Sequence, residues 1–343
     1  MSGEGRTIYF LTPTFKPVGG VVKIFDYVNH AIASGYFPVI CCPQKFEEGL
    51  PLFQTPRFAG LTPDHGLKFL PLEQVSVGPH ELAYFSWPPH YRILEQRMSC
   101  WTAHEQVIHV VQNVRHSNPE FAQGYALRLL TRPMARIMTN EVVLEAVQPH
   151  LNESSLTTVI NLGHDAGYFS HTRSSGFHSP IRVAYTTWKS EVGDRVAEQV
   201  QREGAGARFD FAAVREHVSW PQLRELYQWA DIFLATPNHE EGFYMPGLEA
   251  MEAGAVVVTP DAGGNMAYCE FGSNCVGVEF ENPESYVEAL HWLEDQEAST
   301  IVELRYNAYS LLPEFTLDNE RQGFMDFLEK LDSRLQGTAY FSK

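Results

Sequence analysis

The chain opens with a short apolar run, Thr7-Ile8-Tyr9-Phe10-Leu11, that leads through a proline-containing stretch into a glycine pair, Gly19-Gly20. Beyond the pair, Val21, Ile24, Phe25, Val28, Ala31 and Ile32 recur at helical spacing. Gly35 then stops the pattern, and Phe37-Pro38-Val39-Ile40-Cys41 is a second apolar run. Extended segment, turn, amphipathic helix and extended segment in that order make a βαβ unit, which belongs in a parallel sheet covered by helices. With 343 residues there is room for two such domains, each able to bury its own core.

The pattern predicts further strands at 82–85 and 107–111, with helices near 124–136 and 141–146. Residues 45–79, rich in Pro and Gly, read as loop. A second series restarts at Thr157-Thr158-Val159-Ile160 and passes an exposed Ser- and Gly-rich linker at 172–180. Strands then follow at 181–185, 209–214, 232–235, 255–259 and 275–278. Helices intervene near 193–203, 220–229, 246–253 and 283–293. The expected class is α/β, two doubly wound domains facing a central cleft, because such sheets bind ligands outside their strand C-termini. The expected boundaries are 1–156, 157–317 and an amphipathic tail at 318–343, which could close either domain.

Composition narrows the partners. Residues 1–150 carry 12 Lys+Arg and 12 Asp+Glu, whereas the remainder holds 13 and 30, so the whole net charge of −17 lies in the second part. Nucleic acid and anionic membranes are poor partners for that part, and an anionic ligand should meet the first. No apolar run reaches membrane-spanning length and the N-terminus lacks a signal-peptide core; the expectation is a cytoplasmic protein with no transmembrane segment, peripheral contact apart. Cys41, Cys42, Cys100, Cys269 and Cys275 show no CxxC spacing and read as reduced core residues.

The most informative string is Glu240-Glu241-Gly242-Phe243-Tyr244-Met245-Pro246-Gly247-Leu248-Glu249-Ala250-Met251-Glu252-Ala253-Gly254. Pro246 suits a first helical position and Gly254 a helix C-terminus, after which Ala255–Pro260 runs on as a buried strand. Glu241 then sits on the loop, and Glu249 in the first helical turn at the positive dipole end, beside amides that suit a diphosphate. One carboxylate can take the hydroxyls of a ribose and the other can hold a sugar. The string resembles the E-x7-E signature of retaining glycosyltransferases of GT-B architecture, in particular glycosyltransferase family 4 (glycosyl transferases group 1). The resemblance implies two Rossmann-like domains, Glu249 on the nucleotide ribose, and Glu241 with Gly242, Phe243, Gly247 and Leu248 around the donor sugar.

Other residues extend that expectation. Gly19 and Gly20 let backbone approach a ligand closely. Lys189 offers charge to the departing nucleotide, although the family's companion Arg has no clear counterpart; Arg182 lies too early in its strand. Gly264 and Asn265 follow the strand after the motif and resemble the loop that abuts donor phosphate and sugar. In the first part, Ser86-Trp87-Pro88-Pro89-His90 and Gln112-Asn113-Val114-Arg115-His116 each follow a strand. His90 or His116 could take a proton from the acceptor, with Trp87, Asn113 and Arg115 as acceptor contacts. Arg128, Arg132 and Arg136, four apart, would share a helix face that holds a phosphate-bearing or membrane-borne acceptor. Asn161, Gly163, His164 and Asp165 belong to the hinge.

No Asp-x-Asp motif is placed to chelate a diphosphate and no His/Cys cluster has zinc spacing, so neither a metal nor a cofactor is expected beyond the nucleoside diphosphate sugar itself. The expected reaction is metal-independent hexosyl-type transfer to a hydroxyl of a saccharide, lipid-linked or small-molecule acceptor, in carbohydrate biosynthesis. Alternatives are a nucleotide-sugar epimerase, a phosphorylase, or a non-catalytic sugar-nucleotide-binding subunit, the missing Arg favouring the last.

Overall fold

The structure is a computed structural model that describes residues 5–97, 104–171, 173, 176–216 and 218–336. Cys100 and positions 172, 174 and 175 of the expected linker lie outside the described residues. The chain divides into two compact units, one running to Leu162 and resuming at Asp318, the other spanning Gly163–Leu317.

The first unit is built on a seven-stranded parallel sheet. Its elements are β1 (Thr7–Leu11), α1 (Gly19–Ala33), β2 (Phe37–Cys42), β3 (Lys68–Pro71), β4 (Leu82–Phe85), α2 (Pro89–Arg97), β5 (Val107–Val111), α3 (Tyr125–Leu130), β6 (Ala135–Met138), α4 (Glu141–Val147) and β7 (Thr157–Val159). The strand order is β3-β2-β1-β4-β5-β6-β7, so it reverses direction between β1 and β4. Both faces are covered, which is why its central strands read as continuous apolar runs. Ile8, Phe10, Tyr84 and Ile108 pack on one face; Leu11, Val39, Ala83 and Phe85 pack on the other.

Three expectations change here. The segment 124–136 is not one helix: α3 stops at Leu130 and Ala135–Met138 is a central strand. Pro133 enforces the break, since it cannot donate in a helix and pushes its predecessor out of the helical region. Thr157–Val159 pairs with β6 and is the edge strand of the first sheet, so it does not open the second unit. Within 45–79 lie β3 and three short 3-10 turns, a strand whose terminal Pro and half-exposed edge position hid it from periodicity.

The second unit contains β8 (Ile181–Thr186), α5 (Val192–Arg202), β9 (Phe209–Val214), α6 (Trp220–Trp229), β10 (Ile232–Leu234), α7 (Met245–Glu252), β11 (Val256–Pro260), β12 (Val276–Val278), α8 (Pro283–Glu294) and α9 (Ala298–Leu311). All five strands are parallel, in the order β12-β11-β10-β8-β9, with the reversal between β8 and β10. Val183, Tyr185, Ile232, Leu234, Val256 and Val258 form its core with Val196 and Val200 of α5 and Leu290 and Leu293 of α8. α9 has no counterpart among the helices expected from the sequence; its inward positions Ile301, Leu304, Arg305 and Ala308 include a buried arginine that interrupts the apolar stripe.

The last helix, α10 (Leu317–Gln336), belongs from Asp318 onward to the first unit. Phe324, Phe327, Leu328, Leu331 and Leu335 join the core around β1 and α1, each burial contributing about 1.5–3 kcal/mol. Polar contacts fix its register. Glu320 accepts from Lys23 Nζ at 2.7 Å and lies 3.2 Å from His30 Nε2, while Lys23 also pairs with Asp26 at 2.8 Å. Tyr36 donates to Asp332 at 2.7 Å. No described helix is long and apolar enough to cross a membrane.

Candidate functional site

In an open parallel sheet, ligands bind beyond the strand C-termini where the strand order reverses. In the second unit that point lies between β8 and β10. The two strand ends are tied together there, Thr236 Oγ1 donating to the Thr186 carbonyl at 3.1 Å. The loop leaving β8 carries Lys189 and the loop leaving β10 carries Glu241, and the two side chains form an ion pair. They remain 27% and 13% exposed, so the pair is reachable from solvent. The Lys189 ammonium also stands 5.0 Å from the centroid of the Tyr244 ring.

The loop that presents Glu241 is held rigidly. Its amide donates to Ala262 O at 2.7 Å and its carbonyl accepts from the Gly264 amide at 2.8 Å, joining it to the loop after β11. The approach is so close that a Cβ on Gly264 would stand 1.8 Å from Gly242 O, which only glycine permits. Glu240 and Tyr244 have φ of 58° and 49°, left-handed backbone that costs a non-glycine residue about 1–3 kcal/mol. Tyr244 is kept there from both ends: its hydroxyl accepts from the Thr236 amide at 3.2 Å and its carbonyl accepts from Tyr268 Oη at 2.7 Å. Asn265 is fully buried and spends its amide on Ala262 N, Thr259 Oγ1 and Pro260 O. These bonds make it a brace for the loop, with both of its N–H donors used.

The helix start departs from expectation. α7 begins at Met245, one residue early, so Glu249 is its fifth residue and lies beyond the first turn and most of the dipole field. Pro246 has no N–H and the Gly247 amide donates to Tyr244 O at 3.1 Å, which leaves fewer free amides for an anion than foreseen. Glu249 is half-buried, and its carboxylate accepts from Tyr227 Oη at 3.4 Å. Burial and the nearby Glu249 carboxylate push the Tyr227 hydroxyl well above the usual tyrosine range, so it stays a donor. The side chains of Leu248 and Phe243 are buried, the latter against Tyr268 and Phe315 at 5.1 and 5.4 Å, so only their backbone can meet a ligand. Gly247 makes room for Tyr268, whose Oη would stand 2.5 Å from a Cβ there. The helix ends as read, on Gly254 with φ of 79°.

Sequence reasoning missed Tyr227, Tyr244 and Tyr268, aromatic residues that look like ordinary core until their hydroxyls are seen to hold the motif. It also placed His164 in the hinge without a partner. The ring is buried, with Nδ1 2.6 Å from Phe315 O and Nε2 3.0 Å from Glu252 on α7. The only signal in the sequence was Glu252 itself, a charge on the inward face of the motif helix.

In the first unit the reversal lies between β1 and β4. Gly19 and Gly20 are the first two residues of α1, not a turn before it, and both are exposed. Gln112 lies against Gly20, where a Cβ would meet its Oε1 at 2.9 Å. Trp87 is 49% exposed and is set edge-on against His90 at 5.1 Å. Asn113 and Arg115 are half-buried after β5. His90 and His116 are buried, and desolvation lowers their pKa to about 4 and about 3. Groups that weakly basic and that enclosed are poorly matched to taking a hydroxyl proton near neutrality. His116 instead sits between the rings of His109 and Phe121, at 5.8 and 5.7 Å. Arg136 does not share a face with Arg128 and Arg132. It is fully buried in β6, and its guanidinium donates to the carbonyls of Leu129, Arg132 and Met134.

Residues 194–311 match the family model described as glycosyl transferases group 1. Spore coat protein SA of Bacillus subtilis (strain 168) is 31% identical over 87 residues, a match that covers 23% of each chain, so the present chain spans about a quarter of that relative. Among solved structures, Anabaena HepE in complex with UDP and glucose has a TM-score of 0.68 at 16% identity, covering 95% of this chain and all of HepE. Sucrose-phosphate synthase from Thermosynechococcus elongatus has a TM-score of 0.68 at 13% identity, with 96% and 100% covered. The chain has the GT-B fold, with two Rossmann-like domains, and its match to the glycosyl transferases group 1 model lies within the second unit.

Proposed function

We propose that this GT-B protein, with its glycosyl transferases group 1 segment, moves a sugar from a nucleoside diphosphate sugar to an acceptor hydroxyl with retention of configuration. The observation that carries the reading is the half-exposed Lys189–Glu241 pair at the reversal point of the second sheet. A lysine there neutralises charge growing on the departing diphosphate, stabilisation of the oxyanion type. Glu241, held by the loop after β11, orients the sugar, and Glu249 takes the ribose hydroxyls with Tyr227 fixing its carboxylate. UDP-glucose is the first donor to try, since HepE was solved with UDP and glucose. Lys189 supplies the cation for the leaving group, so the transfer proceeds without a metal. The proton of the acceptor hydroxyl goes to a group other than His90 or His116.

The test is turnover of UDP-glucose by the purified chain in EDTA, by transfer or by slow hydrolysis, with the anomer of the released sugar read by NMR. Retained configuration and a loss of about a hundredfold or more in kcat for Glu241→Gln are expected. An inverted product, or unchanged turnover in that variant, would refute the assignment. Epimerised donor in the absence of acceptor would place the chain with the epimerases instead.

A further inference from the structure

Three arginines of the first unit, Arg92, Arg115 and Arg128, form no ion pair with a carboxylate among the described residues, and each stands over an aromatic ring. Glu95, the closest acid in sequence to Arg92, is paired with Arg132 at 3.2 Å. The guanidinium of Arg92 stands 4.3 Å from the Tyr125 ring centroid and that of Arg128 6.0 Å from the same ring. Arg115 stands 5.1 Å from the Phe121 ring, and its Nε is buried with no hydrogen-bond partner. Two of the three lie where a parallel sheet receives ligands. Arg92 is in the first turn of α2, which starts just past β4, and Arg115 is in the turn Val114–Ser117 just past β5.

The scaffold beneath them is stiff. Phe121 stacks on His116, His116 on His109, and His109 on Phe85 at 4.5 Å, a column of rings running into the two strands. Ala122, Gln123 and Gly124 are all left-handed, with φ of 51°, 56° and 69°, and Arg128 donates to Gln123 O at 3.1 Å to hold that turn. An aromatic ring beside each guanidinium occupies one side of it and leaves other N–H groups for phosphate oxygens, which a planar guanidinium can meet two at a time. Arg92 and Arg128 share the Tyr125 ring, with the one nearby acid, Glu95, paired to Arg132, so an anion there relieves the repulsion between two like charges. The charge distribution agrees: acid excess is confined to the second part of the chain, while residues 1–150 are balanced at 12 and 12.

We infer that Arg92, Arg115 and Arg128 form a phosphate-binding site for the acceptor, and hence that the acceptor carries a phosphate group. The word acceptor rests on the transfer reaction proposed above; the phosphate site does not. The test uses the full chain with UDP in saturating excess, so that a second phosphate cannot report on Lys189. Glycerol 3-phosphate, with glycerol as control, is titrated by calorimetry, and UDP affinity is measured separately. Wild type should bind glycerol 3-phosphate and not glycerol. Arg92→Gln and Arg115→Gln should each weaken binding roughly tenfold while leaving UDP affinity unchanged, and Lys189→Gln should leave glycerol 3-phosphate binding intact. In a parallel arm, co-sedimentation with phosphatidylglycerol-containing vesicles, lost in the same variants, would assign the phosphate to a lipid headgroup; binding of glycerol 3-phosphate alone would assign it to a soluble molecule. If neither probe binds wild type, or if the arginine variants bind as wild type does, the phosphate site is refuted. Should UDP fail to bind while glycerol 3-phosphate binds and responds to the arginines, the donor reading falls and the phosphate site stands.

Discussion

The two units share a parallel sheet with one reversal point, yet the ionisable side chains that the sequence singles out beyond their strand ends differ sharply in exposure. In the second, Lys189 and Glu241 remain reachable, 27% and 13% exposed. In the first, His90 and His116 are sealed in, 1% and 2% exposed, and their basicity is lost with their hydration. Buried charge, by comparison, serves cohesion in both: Glu320, Lys23, Asp26 and His30 bind the last helix to the first, and Asp231 holds Arg173 inside the second unit. A residue type at a strand end is therefore only half of a site argument. How much water still reaches it is the other half.

The sharpest challenge to that contrast is Glu320→Ala. If burial makes this carboxylate a structural element, its removal leaves Lys23 short of a partner and should cost about 3–5 kcal/mol, read from urea unfolding, with UDP affinity unchanged in the variant that remains folded. A cost under 1 kcal/mol would mean the network is incidental. Glu249→Gln probes the other side. It should weaken UDP about tenfold while shifting the melting temperature little, because the carboxylate is half-buried and the bond it accepts from Tyr227 is long, at 3.4 Å. Equal losses of stability and affinity would erase the distinction between the units.

The smallest effect is a pH slope. His90 and His116 have folded-state pKa values of about 4 and about 3, below the unfolded value of 6.5, so the unfolded chain takes up protons first as pH falls. Their neutral burial contributes stability that is present above pH 6.5 and lost as pH drops toward those two values, at up to about 1.4 kcal/mol per pH unit for each. His90→Phe should flatten part of that slope in thermal melts between pH 4 and 6.5, whereas a flat wild-type profile over the same window would show that these rings are not kept neutral.

Legibility followed the same division. The strands at 209–214 and the helix at 220–229 were readable to the residue, because turn residues bracket apolar runs on both sides. The motif was readable because its glycines are demanded by close approach, as Gly264 against Gly242 O shows. What was not readable depended on tertiary partners. Arg136 at four-residue spacing imitates a helix face until β5 and β7 flank it as a strand. Glu249 could be placed on a helix but not in its second turn, since one residue of boundary decides that. The phenols that brace the motif loop carry no local sign of their task.

The helix α10 ties the earliest part of the chain to one of the latest. During synthesis the ribosome releases β1, α1 and β2 well before Phe324, Phe327 and Leu331 exist to cover them. The first unit must wait, with its apolar face open, while Gly163–Leu317 emerges and can close on its own. Order of birth and order of completion are thus reversed: the unit translated second is the one that can finish folding first.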